Sequence, residues 1–434
     1  MSRPRFLFSF GSHFGAIIAL YFCCCLCPSA RASGDLVQEL VEQNKLMRAQ
    51  LESQQRQLDE LRAQMNVVRE STSSTQEESA PATEPSDRKV VLSGEVGIGF
   101  FAASNDGQYR NDEFRVDDAN LRLEAQVANG TYFFGELQLS KHESLDEAFH
   151  LGEFYVEVED VSGKLGGAER LANIRFGRVD IPFGEEYKHR DPLDNPLITH
   201  SLSDVWGTDE GVEVYGEMGH SDYAFAVLNG SSKTSRDFNA DKSLALRIGF
   251  SPVPRWHFSA SAMRTGELNS AFEPLSEVWL GNNVFRNIGS ALSTTHEGDL
   301  AEVDGRYTWA SGHLWGAIGR ARYEDNDPLA DNTRHFNYYQ IEGVQSFGRK
   351  FYGAMRFSSL RVDKGYPLAG IGDFNKYFLG TLQTKDLERL SVGGGYRFNP
   401  SLVLKADYTM ENGELTTGAH RDNDMLSAQA ALGF

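Results

Sequence analysis

The sequence predicts an all-β protein, a transmembrane antiparallel β-barrel of about sixteen strands that is preceded by a coiled-coil helix. Three observations support this prediction. From residue 89 to the last residue, apolar and polar side chains alternate with a period of two. Along the same region, short turns alternate with long polar connections. Between residues 37 and 68, apolar side chains instead recur at steps of three and four.

The period-two alternation is clearest at the end of the chain. Leu426, Ala428, Ala430, Leu432 and Phe434 fall on one side of an extended chain, whereas the residues between them are small or polar. Successive side chains of a strand point to opposite faces, so this pattern predicts a strand and not a helix. The same alternation recurs in four other segments, 244–250, 303–309, 390–398 and 402–410.

The lengths of the connections distinguish a membrane barrel from a soluble β-sandwich, whose strands would also alternate. Short turns are expected at 128–131, 218–221, 252–254, 310–312, 347–349 and 398–401. Every second connection is longer, polar and acidic, at 103–111, 184–206, 230–241, 265–298, 324–333, 361–385 and 411–422. Short turns on one rim and long loops on the other are typical of outer-membrane barrels, and the strands between them number about sixteen.

The first 32 residues have the features of an export signal. Arg3 and Arg5 precede an apolar run that extends to Cys27, and Ala30-Arg31-Ala32 provides a cleavage site. An uncleaved membrane anchor is the alternative interpretation. All four cysteines lie between residues 23 and 27. The mature chain is therefore expected to contain no cysteine, which excludes disulfides and thiolate chemistry.

Residues 33–70 are expected to form a coiled-coil oligomerisation stem. The a and d positions of five heptads are mostly apolar, with Asn44 and Gln54 as the polar exceptions, and the other positions are almost all charged or amide residues. So narrow an apolar stripe favours association with a like helix over packing on the protein's own domain. Residues 71–88 contain two prolines and no large apolar side chain, which predicts a disordered linker before the barrel of residues 89–434.

Charge and motifs exclude several classes of function. The chain carries 61 acidic and 42 basic residues, a formal net charge of −19, which would repel the phosphates of nucleic acids. The sequence contains no G-x-S-x-G elbow, no H-E-x-x-H motif and no phosphate-binding loop. No nucleophile and base can be paired from their spacing. We therefore expect neither an enzyme nor a cofactor nor a metal site, and no nucleic-acid partner.

Two segments of the barrel region resemble a known family. Arg175–Glu186, with the sequence RFGRVDIPFGEE, is followed by a long loop and then by Gly211–Gly216, GVEVYG. Together they resemble the Gly-Arg and Pro-Phe-Gly signature of the phosphate-selective porin O and P family. The resemblance covers about residues 90–434. It implies a sixteen-stranded trimeric porin of the outer membrane, with one loop folded into the lumen and with passage of anions such as phosphate. The terminal Phe434 resembles the aromatic ending by which the barrel-assembly machinery recognises its substrates.

Phosphate selectivity, as the resemblance implies it, needs a channel lined with basic side chains. The expected lumen face contains eight of them: Arg122, Arg175, Arg247, Arg306, Arg356, Arg389, Arg397 and Lys405. The same face contains nearly as many carboxylates: Asp118, Glu124, Glu213, Glu217, Glu302, Asp304 and Asp407. Anion selectivity therefore depends on the resemblance alone, because each arginine is equally well explained by an ion pair with a carboxylate on a neighbouring strand.

The long connection 184–206 is the expected constriction of the channel. Its apolar residues would pack on the barrel wall, and Lys188, His189 and Arg190 would remain free to face the solute path. With Asp191 and Asp194, these side chains are the ones expected to set selectivity.

The sequence thus predicts a passive diffusion channel for small hydrophilic solutes or ions, surrounded by outer-membrane lipid and with its stem in the periplasm. The family resemblance implies a homotrimer, whereas the coiled-coil seam alone allows two or three copies. The alternative is a structural protein in which the barrel anchors a coiled-coil stem and tethers the envelope.

Overall fold

A computed structural model describes residues 89–103, 111–140, 149–205, 207–230, 237, 239–269, 292–366 and 384–434. The expected export signal, coiled-coil stem and linker lie outside the described residues. No helix in the described ranges is long and apolar enough to cross a membrane.

The described chain forms one antiparallel sheet that closes on itself. Its strands are β1 (Val90–Ala103), β2 (Glu113–Ala128), β3 (Thr131–Ser140), β4 (His150–Val158), β5 (Asn173–Asp180), β6 (Thr208–Met218), β7 (Ser221–Leu228), β8 (Ser243–Val253), β9 (Trp256–Arg264), β10 (Leu268–Asn269), β11 (Thr295–Trp309), β12 (Gly312–Asp325), β13 (Arg334–Phe347), β14 (Phe351–Tyr366), β15 (Thr384–Asn399), β16 (Leu402–Leu415) and β17 (His420–Gly433). The two-residue β10 pairs only with the start of β11, and β9 pairs directly with β11. Sixteen strands therefore form the closed ring, as the sequence predicts.

The barrel closes where the first strand meets the last. β1 pairs with β2 on one side and with β17 on the other. The C-terminal Phe434 takes part, because Gly94 and Phe434 exchange backbone hydrogen bonds of 3.2 and 3.1 Å. A Cβ atom at position 94 would lie 2.8 Å from the backbone oxygen of Asn120, so only glycine fits here. The register of β1 against β2 also shifts between Gly97 and Ile98, an irregularity of the kind that bends a strand and that glycines permit.

The alternation of side chains gives the barrel an apolar outer face. In β8, Leu244, Leu246, Ile248 and Phe250 are between 39% and 50% exposed, whereas the side chains that alternate with them, such as Arg247, point into the barrel and are buried. A soluble sandwich would bury one of these faces in a core. An exposed apolar face around a closed barrel is the arrangement of a transmembrane barrel.

Aromatic side chains cluster at the rim that carries the short turns. Trp256 at the start of β9 contacts Tyr307 of β11, with ring centroids 4.6 Å apart. Further along the rim, Tyr396 contacts both Phe351 and Phe398 at 4.7 Å. Such a girdle is typical of the level at which a barrel leaves the hydrocarbon layer.

Two connections differ from the sequence prediction. The connection from β16 to β17 was expected to be a long loop over 411–422, but it is a turn over 416–419, since residues 411–414 continue the β-ladder with 420–423. Their polar side chains are typical of a loop, yet the backbone amides and carbonyls of these residues are paired between the two strands. On the opposite rim, where short turns were expected, β4 and β5 are joined by the longer segment 159–172, which includes the helical turn Val161–Lys164. Asp160 caps this turn by accepting from Gly163 N at 3.0 Å.

Ile318 provides a test of the membrane-facing surface. It lies midway along β12 and is 65% exposed, and Leu314 lies on the same face near the short-turn rim. We expect Ile318→Arg to lower the free energy of unfolding by about 2–4 kcal/mol and Leu314→Arg to lower it by about 0–1 kcal/mol, because the cost of a charge falls towards the interface. Urea unfolding in lipid vesicles measures both. Equal costs would contradict the predicted depth of this face.

Candidate functional site: a loop inside the barrel

The connection from β5 to β6, residues 181–207, folds into the barrel. Its apolar side chains drive this placement, since Ile181, Phe183, Leu202 and Val205 are buried in one cluster with side chains of the wall. Ile198 packs in a second cluster with Phe101 and Met425 at the junction of β1 and β17. The loop thus reaches from its own strands to the opposite wall of the barrel. Trp206 lies outside the described residues.

Glycine is required where the loop leaves β5. Gly184, the last residue of Ile181-Pro182-Phe183-Gly184, has a φ of +70°, which side-chain-bearing residues rarely adopt. Its amide donates to Ser261 Oγ at 3.0 Å, and a Cβ atom would lie 2.5 Å from Glu302 Oε1. The Pro-Phe-Gly sequence therefore turns the chain towards the lumen and lets it pass close to the wall.

Lys405 of β16 fixes the loop to the opposite wall. Its ammonium group donates to three loop carbonyls, those of Pro192 at 2.7 Å, Asn195 at 3.1 Å and Leu197 at 2.9 Å. The side chain is buried, so these carbonyl dipoles stabilise its charge in place of water. A residue expected to face the solute instead anchors the loop.

Two arginines and one aspartate complete this anchor. Arg356 donates to the carbonyl of Thr199 at 2.7 Å and to Asn195 Oδ1 at 3.0 Å, and Arg389 donates to the carbonyl of His200 at 3.0 Å. Asp407 accepts from the amides of Ile198 and Thr199, at 2.7 and 3.3 Å. Each arginine also has a buried carboxylate on the next strand: Glu342 for Arg356 and Glu411 for Arg389.

Glu185 attaches the beginning of the loop to β8 and β9. It pairs with Arg247, and His257 Nε2 donates to it at 3.1 Å. Burial alone would raise the pKa of Glu185, but the hydrogen bond from His257 and the charges of Lys188 and Arg247 outweigh it and lower the pKa below its usual range. A carboxylate with a lowered pKa stabilises the fold at and above neutral pH, and this contribution is lost only when the pH falls through that low value.

The structure gives each of the three expected free cations of the loop a partner. Lys188, in the turn Glu186–His189, lies 3.1 Å from Glu185, and Arg306 donates to His189 Nε2 at 3.0 Å. Arg190 forms an ion pair with Asp204 inside the loop itself. The expectation that these side chains are free was wrong, because a loop enclosed by the barrel cannot leave charges without partners. Burial and the neighbouring Arg306 also lower the pKa of His189.

The loop divides the lumen unequally. Between the loop and β2–β6 lies a cavity of about 530 Å³, lined by Asp118, Asn120, Arg122, Phe134, Glu136, Gln138, Glu153, Tyr155, Arg175, Asp180, Tyr187, Lys188, Arg190, Asp191, Thr208 and Glu213. On the other side of the loop, towards β11–β14, a cavity of only about 30 Å³ remains. Of these two cavities, the one facing β2–β6 has room for a hydrated solute. We refer to this larger cavity as the passage.

The five candidate constriction residues fall on both sides of the loop. Lys188, Arg190 and Asp191 line the passage, whereas His189 and Asp194 line the small cavity. Asp191 is held at the passage by Arg122 of β2, at 2.6 Å.

The eight candidate lumen cations are similarly divided. Arg122 and Arg175 line the passage, and Arg306 and Arg356 line the small cavity. Arg397 donates to the carbonyl of Leu193 at 3.5 Å and lies over the ring of Tyr352. The remaining three hold the loop as described above: Arg247, Arg389 and Lys405.

Sequence reasoning missed several side chains of the passage. Glu153 and Tyr155 on β4, Glu136 on β3 and Asp180 at the end of β5 were not among the candidates. The alternation Glu153-Phe154-Tyr155-Val156-Glu157 would have indicated the first two, with Phe154 and Val156 on the exposed face. No group of three His, Cys, Asp or Glu side chains in the described chain is arranged to hold a metal ion.

No protein-family model and no curated protein matches this chain. Solved structures do. This chain is similar to the outer membrane channel DcaP of Acinetobacter baumannii, with a TM-score of 0.53 and 12% sequence identity; the match covers 82% of this chain and 100% of DcaP. The similarity to OmpT, an outer membrane protein of Vibrio cholerae, has a TM-score of 0.52 and 12% sequence identity, and it covers 82% of this chain and 100% of OmpT. The similarity to the anion-selective porin from Comamonas acidovorans has a TM-score of 0.51 and 10% sequence identity, and it covers 80% of this chain and 100% of the porin. At these identities the likeness shows a shared fold, the closed barrel of outer-membrane proteins.

Proposed function

We propose that the protein is an outer-membrane channel for the passive diffusion of small hydrophilic solutes or ions. The observation that carries this proposal is the passage of about 530 Å³ between an anchored loop and the wall of a closed barrel. The exposed apolar outer face matches lipid, while the polar lining replaces part of the hydration of a solute. Two of the proteins with similar structures, the channel DcaP and the anion-selective porin, agree with this function.

The constriction is proposed to lie where Tyr187–Asp191 approaches β2–β6. Lys188, Arg190 and Asp191 face the solute there, and His189 and Asp194 support the loop from behind. The proposed constriction therefore contains three of the five residues that the sequence suggested. Charges at the narrowest point act most strongly on an ion, because little water and salt lie between them and the ion.

Several partners belong to the same proposal. We propose a homotrimer embedded in outer-membrane lipid; one of the similar solved structures is a trimer form of OmpT. The exposed Phe434, whose backbone closes the barrel, is proposed as the contact for the barrel-assembly machinery. The predicted coiled-coil stem of residues 33–70 would lie in the periplasm and support association of the copies.

The passage of phosphate or other anions is less well supported. Such selectivity needs basic side chains that are available to the solute. In the structure, Arg122 is paired with Glu136 and Asp191, and Arg175 with Glu157 and Glu213. The four cations of the passage thus already have carboxylate partners, which favours a general diffusion channel over a phosphate-specific one.

Conductance in a planar lipid bilayer tests the proposal. The full-length protein is expected to produce stable, ohmic current steps that increase in proportion to the salt concentration. The alternative function, an envelope tether with a plugged barrel, predicts no current. Truncation of residues 33–70 separates the two roles, since a channel without its stem still conducts whereas a tether without its stem loses its function.

A further inference from the structure

We propose that the passage selects for cations, and that Glu153 and Asp180 are the residues that set this preference. The inference deepens the proposed channel function and rests on it. The class of solute is a small hydrophilic cation, such as a monovalent metal ion or an amine. Its recognition depends on charge and on the position of these two carboxylates along the wall formed by β4 and β5.

The lining of the passage carries more negative than positive side chains. Six carboxylates face the passage: Asp118, Glu136, Glu153, Asp180, Asp191 and Glu213. Four cations face it: Arg122, Arg175, Lys188 and Arg190. A water-filled passage with this composition concentrates cations and repels anions.

The four cations of the lining are neutralised by partners. Lys188 lies 3.1 Å from Glu185, and Arg190 pairs with Asp204, while neither of these two carboxylates lines the passage. Of the two wall arginines, Arg122 pairs with three carboxylates and Arg175 with two. An approaching anion would therefore have to displace a carboxylate before it could bind any of these cations.

Glu153 and Asp180 differ from the other lining carboxylates. In the part of the chain that the structure describes, neither forms an ion pair, and they are connected to each other, because the backbone amide of Asp180 donates to Glu153 Oε1 at 3.2 Å. Both are half-buried at the surface of the passage. Because two neighbouring carboxylates repel each other when both are charged, they keep a proton or a cation between them, and a passing cation can take that place.

Aromatic rings support the same preference. Tyr155, Tyr187 and Phe134 line the passage beside the carboxylates, and Phe134 stacks on Tyr155 with ring centroids 5.2 Å apart. The faces of aromatic rings attract cations and not anions. In this wall, the ring of Tyr155 already lies 4.8 Å from the Arg175 guanidinium.

Reversal potentials in a potassium chloride gradient test the proposal on the full-length protein. We expect the wild type to have a potassium-to-chloride permeability ratio above one. Glu153→Gln with Asp180→Asn keeps size and hydrogen bonding and removes both carboxylates. It should lower the ratio at least about fourfold, because even one unit charge some 8 Å from the ion in a water-like dielectric changes the potassium and chloride concentrations about twofold each, in opposite directions. Lowering the pH should also reduce the wild-type ratio, since carboxylates lose their charge on protonation, and should affect the double variant less.

A matched variant removes the same charge elsewhere. Glu169→Gln with Glu267→Gln neutralises two exposed carboxylates, one in each rim of the barrel, and should leave the ratio unchanged. Absence of current from the wild type would refute the channel itself. Current with a wild-type ratio of one or below, or an unchanged ratio in the Glu153 and Asp180 variant, would overturn only the cation preference. If the double variant does not fold, the wild-type ratio and the single Glu153→Gln variant decide the question.

Discussion

Replacement of Lys405 by methionine is expected to raise the single-channel conductance and to make the open current noisy. Methionine has a similar length but cannot donate, so the carbonyls of Pro192, Asn195 and Leu197 lose their common partner. Each buried carbonyl left unsatisfied costs on the order of 1–3 kcal/mol. Segment 192–197 should therefore leave the wall and open the side of the lumen that it now fills.

Two further variants make this result specific. Lys89→Met removes a lysine charge from the exposed start of the barrel and should leave the conductance unchanged. The paired substitutions Thr199→Cys and Ser391→Cys should form a disulfide that restores the wild-type current in the Lys405→Met background, because the two hydroxyl oxygens they replace lie 2.9 Å apart. Wild-type conductance in Lys405→Met would show that this lysine does not hold the loop.

The second large effect is expected from Arg356→Met. Arg356 and Glu342 are 4% and 2% exposed and form an ion pair at 2.5 Å, and Arg356 also holds the carbonyl of Thr199. Removal of one partner of a buried ion pair leaves an uncompensated charge, which costs about 3–5 kcal/mol. The free energy of unfolding by urea in lipid vesicles should fall by that amount.

The matched control removes both charges. Arg356→Met combined with Glu342→Leu removes both charges of this pair and leaves only Glu186, which lies 3.9 Å from Arg356 and accepts from the Ser201 amide, without its cation. It should therefore cost less than Arg356→Met alone. A double variant that is less stable than the single variant would mean that Glu342 stabilises the barrel through other contacts, such as its hydrogen bond of 3.1 Å with His313.

Much of the fold could be predicted because it depends on local patterns. In segments such as 426–434 and 244–250, successive side chains alternate because they face lipid and lumen in turn, which identifies strands. The number of strands followed from the short turns and long connections between such segments. The end of β16 could not be predicted in this way. Glu411–Leu415 is polar enough to resemble a loop, and only its pairing with β17 shows that the strand continues.

The site was less predictable, since its contacts join residues far apart in the chain. The apolar content of loop 184–206 indicated that it would pack on the wall, and it does. That Lys405 would bind carbonyls more than 200 residues earlier, or that Arg190 would pair with Asp204, depends on how the loop folds and not on any repeat. For the same reason, the division of the candidate charges between the passage and the small cavity has no counterpart in the sequence.

Cysteine accessibility during single-channel recording tests the position of the solute path most directly. The four native cysteines lie within the predicted export signal, so single cysteines can be placed in an otherwise thiol-free barrel. Gln138 lines the passage, whereas Thr199 belongs to the part of the loop that packs on β15 and β16 and is fully buried. A positively charged methanethiosulfonate should reduce the current through Gln138→Cys and leave Thr199→Cys unaffected. Block of Thr199→Cys together with an unchanged current in Gln138→Cys would contradict a path between the loop and β2–β6.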